Sequence, residues 1–158
     1  MKRNITFPFL EVGLPKGEAI VYVVSENKLD SESQALQRYG IGADYFGTEA
    51  FTIMSDDEWF MKEGKAQPNI IIDNWRAIAK EKQKAGFTGV RGAVEMKLML
   101  NYSREQLLRL ETMLGKQFTI NQCVMCLYDV NRLEEKQVIQ LSKCHGHEIF
   151  KDIALKTP

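Results

Sequence analysis

The sequence predicts an α/β fold, a mostly parallel sheet with helices on both faces, and three observations predict it. Continuous runs of β-branched and aromatic residues mark strands buried on both sides. Amphipathic stretches of helical length separate them. A strand–helix–strand alternation of this kind requires crossover connections, and those pair strands in parallel.

Residues 19–24, Ala-Ile-Val-Tyr-Val-Val, are the first such run. A polar amphipathic stretch over 30–39 follows, and Gly40 supplies a C-terminal stop. Residues 50–54 form a second short strand. Pro68 sits where a first helical turn tolerates it. The helix it opens carries Ile71, Trp75 and Ile78 on one face, exposes Lys80, Glu81, Lys82 and Lys84, and ends at Gly86. Residues 87–94 are a third strand. Ser103 followed by Gln106 is a capping box, and Leu107, Leu110 and Leu114 form the apolar stripe behind it. A fourth strand spans 120–128, another helix 133–142 and a last strand 147–153.

The 158 residues, 44% of them hydrophobic, read as a single unit over 1–158, with no repeat, low-complexity tract or linker. Balanced charge, 21 basic against 21 acidic residues, excludes disorder and argues against a dedicated nucleic-acid binder. No run approaches the roughly 18 apolar residues of a membrane span, and the start does not read as a signal peptide. A cytoplasmic protein is expected. Its three cysteines then predict free thiols or a metal rather than disulfides.

In parallel sheets ligands bind beyond the carboxyl ends of the strands, so the candidate binding residues are those found there. Ser25 and Glu26 follow the first strand, and the third carries Arg91 and runs into Glu95. Cys126, Tyr128 and Asp129 close the fourth, and His145 precedes the last. Arg91 and Glu95 match as a bidentate pair. They read either as an architectural tie or as ligand-facing groups. Tyr128 reads as core or as ligand contact, with a hydroxyl that needs one partner either way. Asp129 and Asn131 are also candidate N-caps for the helix that follows.

Cys123, Cys126, Cys144, His145 and His147 are soft metal ligands. Residues three apart on a strand point to opposite faces, so Cys123 and Cys126 do not share a site. A smaller metal site of Cys126, Cys144 and His145 stays open beside the reading of the strand cysteines as core. No phosphate-cradling loop GxxxxGK[ST] and no nucleophile elbow GxSxG occur, so neither an ATPase nor a serine hydrolase is expected.

Several segments, taken in order, resemble one known family. FLEVGLPKGEA at 9–19 resembles the GL-x-x-GE entry into a strand of the MEDS sensory domain, first described in a dichloromethane-responsive regulator. GFTGVRGAVEM at 86–96 resembles its second signature, with Val94 in place of a glycine, and CLYD at 126–129 its third. His145 and Glu111 fall where the family carries a histidine and a helix glutamate. The resemblance implies a three-layer RecA/KaiC-like sheet that here lacks the P-loop strand, the chain opening inside the helix upstream of 19–24. It implies sensing rather than catalysis, without a cofactor. The expected ligand is a small hydrocarbon derivative or one-carbon compound. The expected partners are a regulator or signalling kinase, or a second copy of the chain. A nucleotide-free interaction module is the alternative.

Overall fold

The computed structural model describes residues 2–41, 44–62, 64–117 and 121–145. Helix α1 (Arg3–Glu11) leads through a 3-10 turn, Leu14–Lys16, into β1 (Glu18–Val24). All of β1 beyond Glu18 is buried, as its unbroken apolar run requires. Helix α2 (Leu29–Tyr39) ends at Gly40, whose φ of 100° is the left-handed conformation that glycine adopts without a Cβ penalty. Strand β2 (Phe51–Ser55) follows. Ser55 then caps α3 (Asp56–Phe60) by accepting the Glu58 N–H at 3.1 Å.

A two-residue hairpin, β3 (Met61–Lys62) with β4 (Lys65–Ala66), precedes α4 (Pro68–Lys84). Strand β5 (Gly89–Glu95) leads to α5 (Lys97–Tyr102) and α6 (Arg104–Gln117), then to β6 (Gln122–Leu127) and α7 (Glu135–Ser142).

The main sheet has the order β2-β1-β5-β6 with every pairing parallel. Helices cover both faces, making three layers. On one face Phe7 and Leu10 of α1 and Leu36 of α2 pack on Ile20, Tyr22, Val24 and Ala93. On the other, Ile71, Ile72 and Trp75 of α4 and Leu107 and Leu110 of α6 pack on Val21, Val23, Val90 and Val94. No helix among the described residues is long and apolar enough to cross a membrane.

Differences from the sequence reading sit at element ends and in short elements. Ser103 accepts the Gln106 N–H at 3.3 Å, as a helix cap should. The last helix starts at Glu135 rather than 133, because Leu133 is extended and Glu134 forms a capping box with Gln137. Asp129 accepts the Asn131 N–H at 3.2 Å and caps the 3-10 turn Val130–Arg132, ahead of that helix. Helices α3 and α5 are too short to show a periodicity. The expected strand at 147–153, and His147 with it, lies outside the described residues.

Candidate functional site

Strand β1 connects through α2 to β2 on one side. The chain then crosses the opposite face, through α4, to β5 on the other side of β1. The carboxyl ends of β1 and β5 therefore flank a topological switch point, where connections diverge and leave a crevice. Ser25 and Glu95 sit there, both buried.

The Ser25 hydroxyl donates to Glu95 Oε2 at 3.1 Å. Lys2 of the upstream helix end pairs with the other Glu95 oxygen, and Lys28 Nζ approaches to 3.9 Å. Beside it, the buried Glu32 of α2 accepts from Arg3 at 3.1 Å and from the Tyr22 hydroxyl at 3.3 Å. Asp56, just beyond β2, accepts the Glu26 backbone N–H at 3.0 Å, while the Glu26 residue itself is exposed. Three neighbouring strands thus deliver Asp56, Ser25 and Glu95 to one edge.

Burial alone would push the Glu95 carboxyl up. The hydrogen bond and charge of Lys2, the charge of Lys28 and the Ser25 hydroxyl outweigh it and hold the group below the usual carboxylate range. Asp56 goes the other way: its burial outweighs the Glu26 N–H, and nearby Asp57 and Glu95 add to the rise. Because Glu95 is depressed in the folded state, its stabilising contribution is present above the unfolded glutamate pKa of about 4.3. It is lost as pH falls through the lower folded value. Glu95→Gln is therefore expected to flatten the acid limb of a denaturant-midpoint profile as pH falls below the unfolded glutamate pKa of about 4.3. A limb as steep as that of the wild type contradicts this.

Arg91 is not part of the crevice and does not pair with Glu95. Residues 91, 93 and 95 share one face of β5, but four residues of strand separate Arg91 from Glu95 by roughly 13 Å. Arg91 sits toward the amino end. There its Nε donates to Glu18 Oε2 at 2.6 Å and its Nη2 to Oε1 at 3.3 Å, and its guanidinium stacks 4.8 Å over the Phe9 ring. Gly13 lies directly against this ion pair: a Cβ there would come within 2.8 Å of Glu18 Oε2. The pair ties the helix-to-strand entry to β5.

Cys126 belongs to the opposite face, next to Val94 in register. There Tyr128 donates its hydroxyl to Glu111 of α6, the Cys126 thiol lies 4.0 Å from Glu111 Oε2, and His145 Nε2 lies 3.4 Å from the same oxygen. Burial raises the carboxyl of Glu111, against the Tyr128 hydrogen bond and His145. Burial first, and Glu111 with it, raises the Cys126 thiol. Burial likewise raises the Tyr128 hydroxyl, with Cys126 and Glu111 adding to the rise. Cys144 stands apart, its thiol donating to the Gln140 carbonyl at 3.3 Å. Cys123, on the α1 face, lies 3.8 Å from Arg91 Nη1.

The residues read from the sequence therefore divide. Ser25 and Glu95 meet at the switch point, and Cys126, Tyr128 and His145 meet around Glu111. Arg91 lies at the other end of its strand, and Asp129 serves as a cap. The partners in the crevice, Glu32, Lys2, Arg3 and Asp56, were not singled out. Glu32 carried a signal, because it precedes Ala35 and Leu36 at helical spacing and so falls on the buried face of α2. A separate open groove of about 300 Å3 lies between the hairpin and α6, lined by polar groups that include Lys65, Gln106 and Arg109. It contains none of these residues.

The family model described as methanogen/methylotroph, DcmR sensory domain (MEDS) matches residues 2–146. No curated protein and no solved structure matches the chain.

Proposed function

The chain belongs to the MEDS family of sensory domains, and from that premise we propose that it binds a small organic molecule at the β1–β5 switch point. The molecule is a hydrocarbon derivative or one-carbon compound with one polar group, and the domain acts by binding rather than turnover. The observation that carries this reading is the buried Glu95 carboxylate, held by Ser25 and Lys2 where diverging connections open a parallel sheet. A ligand's polar group competes for those hydrogen bonds. Displacing Lys2 would loosen α1 and so alter a surface that a partner protein reads. The partner is a regulator, a signalling kinase or a second copy of the chain.

The test is thermal unfolding against short alcohols, amines, carboxylic acids and halogenated one-carbon compounds. A true ligand raises stability by RT ln(1 + [L]/Kd), about 2.7 kcal/mol at a hundredfold excess over Kd. Glu95→Gln is expected to lose that increment, measured from its own baseline, and Arg91→Lys to keep it. A panel that leaves the wild type unmoved contradicts the proposal.

The sheet favours a second reading, association without a ligand. Strand β6 has the apolar composition of an interior strand, yet among the described residues it pairs only with β5. Light scattering over a concentration series separates the two: a ligand-independent dimer supports association, and a monomer at all concentrations opposes it.

A further inference from the structure

We infer that Glu111, Cys126 and His145 form a mononuclear site for a divalent transition metal, zinc foremost, with one coordination position open to an exogenous ligand. The three ligand atoms come from α6, the end of β6 and the turn after α7, and all lie within 4.8 Å of one another. A tetrahedral zinc centre, with bonds of about 2.0 Å to oxygen and nitrogen and about 2.3 Å to sulfur, sets its ligand atoms roughly 3.3–3.6 Å apart. The observed 3.4 Å from Nε2 to Oε2 already fits; the 4.0 Å from Sγ to Oε2, and the Sγ–Nε2 separation of no more than 4.8 Å, require the thiol to move inward on binding.

The surroundings are those of a metal site. His145 Nδ1 lies 2.8 Å from the Leu141 carbonyl oxygen, and only an N–H can make that bond. In the neutral ring this fixes the proton on Nδ1 and leaves the Nε2 lone pair facing Glu111 and Cys126, the arrangement that orients metal-bound histidines. The Tyr128 hydroxyl holds the far oxygen of Glu111 and leaves Oε2 toward the cluster. The Cys126 thiol, now directed at Glu111 Oε2, gives up its proton to solvent when a metal binds, and three lone pairs then converge. Glu111 is 2% exposed, and among the described residues no lysine or arginine pairs with it. A buried carboxylate without a full counter-charge is costly. A divalent cation supplies the charge and satisfies all three donors. The donor set of one thiolate, one imidazole and one carboxylate suits zinc. Glu111 on α6 and Cys126 on β6 stand on regular elements, which gives two of the three ligands the rigidity a loop would lack.

This inference does not rest on the sensory reading, because the cluster lies on the opposite face of the sheet from Glu95. The full chain is freed of metal with a chelator and titrated with cobalt(II), which reports thiolate ligation by charge-transfer absorption in the near ultraviolet. One equivalent with that band is expected, and zinc should bleach it. Cys126→Ala is expected to abolish the band, while Cys123→Ala and Cys144→Ala retain it. Glu111→Gln and His145→Ala, each removing a ligand, should weaken binding by at least the roughly 10- to 100-fold that losing a group behind a ligand costs. Circular dichroism verifies that each variant is folded, and Cys126→Ala carries the test if the Glu111 variant is not. No band in the wild type, or a band that survives Cys126→Ala, overturns the proposal. Cobalt binding that persists in Glu95→Gln, which has lost its ligand response, shows the two sites to be separate.

Discussion

Gly92→Val is expected to destabilise the protein by about 3 kcal/mol or more, toward the upper end of what overpacking a core costs. Gly92 lies in β5 on the α4 face, where a Cβ would come within 2.4 Å of Trp75 Cη2 and 3.2 Å of Cζ3. The Trp75 ring is buried and packs edge-on against Trp59 at 4.8 Å, so it has nowhere to retreat. The glycine exists to let the indole lie on the strand. Gly92→Ala is expected to cost about 1–3 kcal/mol, or several degrees of Tm for a chain of this size. Trp75→Phe removes the outer ring atoms that clash. The Gly92→Ala/Trp75→Phe double variant should therefore lose less stability than the two single variants together, since residues in contact are not additive. Strict additivity in urea titrations contradicts this account of the glycine.

Arg91→Ala is the second large effect. Its fork to Glu18 is mostly buried, and removing one partner of a fully buried pair costs about 3–5 kcal/mol, because the other charge is left uncompensated. Glu18 retains some contact with water, with 19% of its side chain exposed, so roughly 2–4 kcal/mol is expected here. The lost stacking on Phe9 is part of that figure. Arg91→Lys cannot reproduce the fork and should fall between wild type and alanine. Adding Glu18→Gln to Arg91→Ala should restore part of the loss by removing the stranded carboxylate. A double variant worse than Arg91→Ala would contradict the pairing. Neither change should alter ligand affinity, because the pair lies at the amino end of the sheet.

The strands and crossovers were legible because burial on both faces leaves a short β-branched run, and burial on one face of a helix leaves apolar residues at i, i+4 and i+7: the run at 19–24 and the helix opened by Pro68 are where they were expected. The candidate site was legible only in part. Position along a strand was readable, so Ser25, Glu95 and Cys126 were placed at the carboxyl edge. Which face each occupies also follows from period-two alternation, and Cys123 and Cys126 obey it. Applied to Arg91 and Glu95, the same spacing puts them on one face but too far apart to pair, and sequence proximity concealed that distance. Glu111 falls on the stripe of Leu107, Leu110 and Leu114. A carboxylate on a buried helical face asks for a partner, but Tyr128 and His145 arrive from elsewhere in the chain, and only tertiary structure brings them to it. Lys2 reaches Glu95 across 93 residues, a contact no local pattern encodes.

The central claim is that recognition takes place where β1 and β5 end. Amide chemical-shift mapping of the full chain, titrated with a compound that raises its melting temperature, tests it most directly. The account predicts that the largest perturbations fall at Ser25, Glu26, Glu95 and Met96 and weaken toward the amino ends of the strands. Perturbations centred on Glu18 and Arg91, or on the groove beside Lys65 and Arg109, would contradict it.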